Sequence, residues 1–252
     1  MDARRPGTDG RGPCLATGRR AAWVGIAALA VAVGTSWGQP PPAEEKDQAG
    51  PRAPIGSPTP RPAGPDWIDL LSPEHAGGWR PNVRKAKLFE IDDETMRVFG
   101  EESVGFVGYM AERLRDFALH LEFKLAPLTN TGVILRGEPD SPPYSGIEIQ
   151  ILDDYGRPPT NTSCAALYGV ATPMFNLSKP AGEWNSFDVT CKGRVVVVYF
   201  NGWKVLDVDL AKMTMPLGKT LTPYALKPLD GYLFFEARGG EAWFRNVLLK
   251  KL

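Results

Sequence analysis

Between Phe117 and Leu125, apolar and other side chains alternate without a break: Phe117, Leu119, Leu121, Phe123 and Leu125 against Ala118, His120, Glu122 and Lys124. A period of two puts the first set on one face of an extended strand and the second on the other. Five apolar residues on one face commit this stretch to a sheet with a buried side. Shorter alternating runs follow the same rule at 87–91, 95–99, 105–111, 133–136, 147–152, 184–192, 194–200, 203–210, 232–237 and 242–249. Gly, Pro, Asn and Asp separate them, and helical periodicity is almost absent, which is the form of an all-β sandwich or barrel. Lys192-Gly193 and Asn201-Gly202 predict a three-stranded meander, since Asn-Gly between alternating runs is a strong hairpin signal. The runs at 232–237 and 242–249 read as a last pair joined by Arg238-Gly-Gly-Glu241.

The N-terminal quarter has a different character. Arg4, Arg5, Arg11, Arg19 and Arg20 precede an almost wholly apolar run at 21–33 and then Gly34-Thr-Ser-Trp-Gly38. Basic region, short apolar core and small residues make a secretory signal over 1–38, cleaved after Gly38. The apolar run falls short of the roughly 20 residues a membrane helix needs. The expectation is export, to the periplasm, the cell envelope or the medium, with an uncleaved anchor as the alternative; the Arg19-Arg20 pair also permits a twin-arginine route. Residues 39–65 are dense in Pro, Ala and Gly, cannot bury enough surface to offset their ordering entropy, and read as a disordered tether. One domain then spans 66–252. Its zero formal net charge and lack of a basic cluster exclude nucleic acid as an expected partner. Cys164 and Cys191 remain after the leader; they read as two buried thiols, with a disulfide as the alternative in an oxidising compartment. No cysteine spacing suits a metal, and neither metal nor cofactor is expected.

Chemistry gathers around 144–154, Tyr-Ser-Gly-Ile-Glu-Ile-Gln-Ile-Leu-Asp-Asp. Ile147, Ile149 and Ile151 point one way; Glu148, Gln150 and Leu152 point the other. A β-bulge at Leu152 would bring Asp153 round to join Glu148 and Gln150; a solvated outer face followed by turn-formers is the plainer alternative. In the run after Thr129, Asn130, Gly132, Ile134 and Arg136 share a side. Towards the C-terminus Glu236 and Arg238 face out together. If these strands belong to one sheet, Arg136, Glu148, Gln150, Glu236 and Arg238 line a common groove. The long Pro-containing segment 153–181 is expected to serve function, as long loops in compact β domains commonly do.

Several motifs occur in order: Asn130-Thr-Gly-Val-Ile-Leu-Arg136, Gly146-Ile-Glu-Ile-Gln-Ile-Leu-Asp153, Ala166-Leu-Tyr-Gly169, Lys179-Pro-Ala-Gly-Glu-Trp-Asn185, Phe200-Asn-Gly202 and Trp243-Phe-Arg-Asn-Val247. Together they resemble the 3-keto-disaccharide hydrolase-like domain across 66–252. The resemblance implies a concanavalin A-like jelly-roll sandwich of two antiparallel sheets with a carbohydrate groove, and cleavage of glycosidic bonds in 3-keto-disaccharides or related glycosides. Trp184 reads as a packing residue. One departure stands out: where many members carry Leu-Gln-x-His-Gly, this chain has Phe235-Glu-Ala-Arg-Gly239, so Glu236 and Arg238 replace a Gln and a His whose role is vacant or reassigned.

Glycoside cleavage uses a proton donor for the leaving oxygen and a second group as base or nucleophile, commonly two carboxyls. Glu148 is expected to be one, with Asp153 or Glu236 as its partner. Asn130, Arg136 and Gln150 are expected to hold hydroxyls, and Tyr168, Lys179 and Arg238 complete the substrate-binding set. Elimination from a 3-keto sugar is a second route, with Arg136 or Arg238 stabilising the oxyanion. Two readings compete. A lectin-like module would rely on Tyr144, Tyr155, Tyr168 and Trp203; a structural envelope protein would hold the membrane through an uncleaved leader. His75 and His120 receive no role.

Overall fold

The chain folds as an all-β jelly-roll sandwich of two antiparallel sheets around one apolar layer. This computed structural model describes residues 56–82, 87–99 and 105–252; the expected leader and the tether up to residue 55 lie outside the described residues. The smaller sheet has the order β2 (Trp79–Pro81), β5 (Gly105–Leu114), β12 (Gly231–Ala237), β7 (Asn130–Gly137) and β8 (Ile147–Leu152). The larger runs β11 (Trp203–Asp209), β10 (Val195–Phe200), β9 (Trp184–Lys192), β6 (Phe117–Leu125), β13 (Glu241–Lys251), β4 (Thr95–Phe99) and β3 (Phe89–Asp92), with β1 (Ile68–Asp69) also pairing β13. A single turn of helix, α1 (Pro142–Ser145), joins β7 to β8.

Alternation decides which side chains enter the layer between the sheets. All five apolar residues of β6 are buried there, facing Ile147, Ile149, Ile151, Leu233 and Phe235 of the smaller sheet. Trp79 stacks on Phe235 at 5.1 Å, and Phe235 on Phe244 at 4.0 Å. This aromatic column ties β2 and β12 to β13, and each fully buried ring contributes about 1.5–3 kcal/mol. The meander β9–β10–β11 forms as expected, with positive φ at Asn201 and Gly202 matching the twist of the hairpin. Strands β12 and β13 do not form the expected pair. They lie in different sheets, β12 between β5 and β7 and β13 between β6 and β4, and the turn joining them passes close to Thr129, where a Cβ on Gly240 would sit 2.5 Å from its Oγ1.

Arg136 also departs from expectation. The register between β7 and β12 shifts between Tyr232 and Phe234, and Arg136 takes φ 55°. Gly231 makes room for this: a Cβ there would lie 2.4 Å from the Arg136 carbonyl carbon. The guanidinium is thereby turned off the Glu148 face and donates to Arg115 O, Gly193 O (2.7 Å) and Asp116 Oδ1 (3.2 Å) at one end of the sandwich. Arg136→Ala strands those acceptors, and should lower stability by about 3 kcal/mol and Tm by roughly 6–12 °C in a thermal melt. Turnover per folded molecule should persist; an unchanged Tm with a raised KM would return Arg136 to substrate binding.

The end of the expected tether has a place on the domain. Ser57 N–H donates to Asn201 O (3.1 Å), Thr59 N–H to Ser186 Oγ (2.7 Å), and Arg61 to Asn246 Oδ1 (3.0 Å) and Asp69 Oδ2 (2.9 Å). From β9 to β13 this segment crosses the outer face of β6, where His120 is fully buried and its Nδ1 lies 2.7 Å from Asp188 Oδ1. The histidine expected on an outward face is buried on the sheet face that the Pro-rich segment crosses, a placement no strand pattern encodes.

Candidate active site

On the outer face of the smaller sheet, register brings three strands together. Gly132 of β7 lies opposite Gln150 of β8, and Ile134 opposite Glu148. Phe235 lies opposite Val133, so Glu236 and Gly132 are neighbours one step along. Gly132 is the gap in this row: a Cβ there would lie 3.3 Å from both Cγ and Oε1 of Glu148. The missing side chain leaves space beside Glu148, and Glu236 on the adjoining strand is near enough for the Glu148 charge to act on it.

Neither acid is open to water. Glu148, Gln150 and Glu236 are each no more than 3% exposed, because the connection from β11 to β12 covers this face. Lys219 on that connection donates to Glu148 Oε2, and its Nζ lies 4.7 Å from the centre of the Tyr168 ring. Tyr168 is in turn fixed by donating its N–H to Glu148 O (3.0 Å), part of a bridge by which the 153–181 loop covers the β8 edge. Nearby Lys227 is buried without a carboxylate partner among the described residues; its Nζ donates to Tyr144 O (2.8 Å) and Gly146 O (2.6 Å). Those bonds hold the covering segment against the start of β8.

The two acids differ electrostatically. Burial, reinforced by the Glu148 charge, pushes the Glu236 carboxyl up to about 7; Lys219 and Arg238 oppose the shift. Glu148 has an ammonium ion-paired with it. Burial brings Lys227 down to about 8, with Lys219 adding to the effect, and raises the Tyr224 hydroxyl to about 12, with Glu148 adding. Gln150 Nε2 donates to Asn130 Oδ1 at 3.2 Å, while its buried Oε1 has no partner in the protein. A buried acceptor left open in a polar site is a place for a ligand hydroxyl or a water.

Of the residues singled out from the sequence, Glu148, Gln150, Asn130 and Glu236 meet here, Tyr168 flanks them and Arg238 is exposed just past β12. Asp153 does not join. The β7–β8 register runs without a bulge, and the Asp153 carboxylate accepts the Leu128 N–H (2.8 Å), bracing a turn. Lys179 belongs to a segment pinned to the other sheet by Asn185 Oδ1, which accepts its N–H at 3.0 Å. Trp184 packs under Arg245, 4.0 Å from its ring centre. Buried Asp154 holds the long loop through Cys164 N–H (2.9 Å) and Ser178 Oγ (2.8 Å); Cys164 and Cys191 are free buried thiols. Lys219, Tyr224 and Lys227 were not legible. Their one signal is a stretch of some 20 residues between strands with no strand pattern, a length that itself marks a functional loop.

Comparison with known families matches residues 66–250 to the 3-keto-alpha-glucoside-1,2-lyase-like domain. The chain belongs to this family. A curated relative, the 3-keto-disaccharide hydrolase of Bacteroides thetaiotaomicron, is 27% identical over 74% of this chain and 78% of its own length. Two solved structures from Parabacteroides distasonis, each named provisionally as a glycosyl hydrolase, share the fold with TM-scores of 0.63. They are 24% and 22% identical, each over 74% of this chain and over 99% and 94% of their own.

Proposed function

We propose that this protein cleaves the glycosidic bond of 3-keto glycosides, disaccharides among them, on the outer face of its smaller sheet. The carrying observation is the pair Glu148 and Glu236, on the strands either side of Gly132 and electrostatically coupled, one ion-paired and the other held protonated by burial. Glu148, ion-paired with Lys219, serves as base. Glu236 retains its proton below about 7 and serves as acid.

In the elimination, Glu148 removes the C2 proton beside the ketone, the electron pair moves to the ketone oxygen, and the Lys219 ammonium stabilises the resulting oxyanion. Collapse forms the C1–C2 double bond and breaks the C1–O bond, and the leaving oxygen takes the Glu236 proton. Direct hydrolysis uses the same pair, with Glu148 activating a water that enters with the substrate. Gln150 Oε1 and Asn130 are positioned for ring hydroxyls. The leader expected at 1–38 would have this chemistry take place outside the cytoplasm.

The test is to incubate the full chain and its Glu148→Gln variant with a panel of 3-keto glycosides and their parent disaccharides, following released sugar. Turnover of the keto compounds, lowered about 10²–10⁴-fold by the substitution, is the expected result. Binding that is equal in both proteins with no turnover would instead favour a lectin-like module.

A further inference from the structure

At the edge of the smaller sheet farthest from Glu148, a cavity of about 410 Å³ opens between the turn at 72–78 and strands β2 and β5. We propose that it is a second carbohydrate site, taking one neutral pyranose unit.

Its polar groups are held by the turn that carries them. Ser72 O accepts the N–H of His75 (2.9 Å) and of Ala76 (2.8 Å), and Ser72 Oγ lies 3.1 Å from His75 Nδ1. The Ser72 side chain also hydrogen-bonds Glu74 and holds its carboxyl below the usual range, so Glu74 is an ionised acceptor at neutral pH. Arg80 Nη1 is locked by Gly77 O (2.5 Å) and Trp79 O (2.7 Å), while its remaining donors have no partner among the described residues. An acceptor, a donor fork and an imidazole are thus preset around one space. Its floor is the edge of Tyr109 with Met110 and Ala111. The floor stays bare because Gly78 admits no side chain: a Cβ there would lie 2.5 Å from Tyr109 Cε2.

That composition matches a pyranose, whose C–H face is apolar and whose rim hydroxyls both donate and accept. A carboxylate and a guanidinium lining one cavity can accept from and donate to different hydroxyls of one sugar, and Glu74 opposes an anion. The volume lies in the usual range for small-ligand sites, about 300–1,000 Å³. The cavity does not extend the glutamate site. Glu148 lies four inter-strand steps from β2, roughly 19 Å, and Glu236 is paired with Phe106, four residues or roughly 13 Å along β5 from Met110; the packed Phe106, Phe234 and Ile134 fill the face between. It is a holding site beside the chemistry, suited to keeping a glycan at the protein.

Met110 lines the cavity and gives a local readout independent of turnover. The full chain carrying ¹³C-methyl methionine, with the Met110 signal assigned through Met110→Leu, is titrated with maltose, cellobiose, methyl pyranosides and inorganic phosphate. Expected is a saturable Met110 shift with at least one sugar at roughly millimolar affinity. Arg80→Ala and Glu74→Gln should each weaken it about tenfold, with turnover of 3-keto glycosides unchanged, and Glu148→Gln should leave the shift intact. No sugar shift, a shift indifferent to Arg80→Ala, or a response to phosphate alone would overturn the proposal. Because Glu148→Gln reports on the other site, failure of the catalytic reading remains distinguishable from failure here.

Discussion

Glu236→Gln is expected to leave a more stable protein with almost no activity on substrates that have poor leaving groups. Glutamine keeps the shape but carries no acidic proton, so the alkoxide must depart unassisted, at a cost of about 10²–10⁴-fold in kcat. An activated aryl leaving group needs no protonation, so the same variant should approach wild-type rates on a nitrophenyl 3-keto glucoside. That contrast separates a proton donor from a residue that only shapes the site. The wild-type rate on ordinary glycosides should fall tenfold per pH unit above about 7, as Glu236 loses its proton, and this limb should vanish with the activated substrate. Equal losses on both substrates would remove Glu236 from the acid role.

The stability gain follows from the same burial. Folding raises the Glu236 carboxyl from 4.5 to about 7, so the protonated form is favoured in the folded state. Below about 4.5 both states are protonated and nothing is lost. As pH rises through 7 the wild type must hold a buried carboxylate, at a cost on the order of 3 kcal/mol. Glu236→Gln avoids this. In denaturant titrations it should match the wild type near pH 4 and exceed it by up to that amount at pH 8; no difference at pH 8 would contradict the buried environment.

Lys219→Met should lower kcat/KM by about 10²–10³-fold, because one ammonium both partners the base and faces the oxyanion. Lys219 also holds the Glu236 carboxyl down, so the alkaline limb of the variant's residual activity should lie at higher pH than that of the wild type. Lys219→Arg, which restores a cation of different shape, should recover part of the rate but not all. A structural role alone would lower Tm and leave the pH profile untouched. Combining Lys219→Met with Glu148→Gln should cost little more than either alone, since the two act as a unit.

Much of the strand pattern was legible because the period of two is written into φ/ψ geometry and acts residue by residue. Phe117 to Leu125, the Asn201-Gly202 hairpin and the outward placement of Glu148, Gln150 and Glu236 could be read without knowing any partner strand. Arg136 defeated the same rule, since a register shift and a positive φ turned it towards Arg115, Asp116 and Gly193. Asp153 did so as well, because the turn at Leu128 claims its carboxylate.

By itself, then, the sequence determined an all-β chain and the face on which its acids lie. Only the tertiary structure decided that β12 and β13 part into separate sheets, that the Pro-rich segment is bonded to the larger sheet, and that Lys219 closes over Glu148. Lys219 stands 71 positions from its partner, in a segment without periodicity. Contacts at that separation arise from how whole sheets and loops pack, and local side-chain alternation carries no record of them.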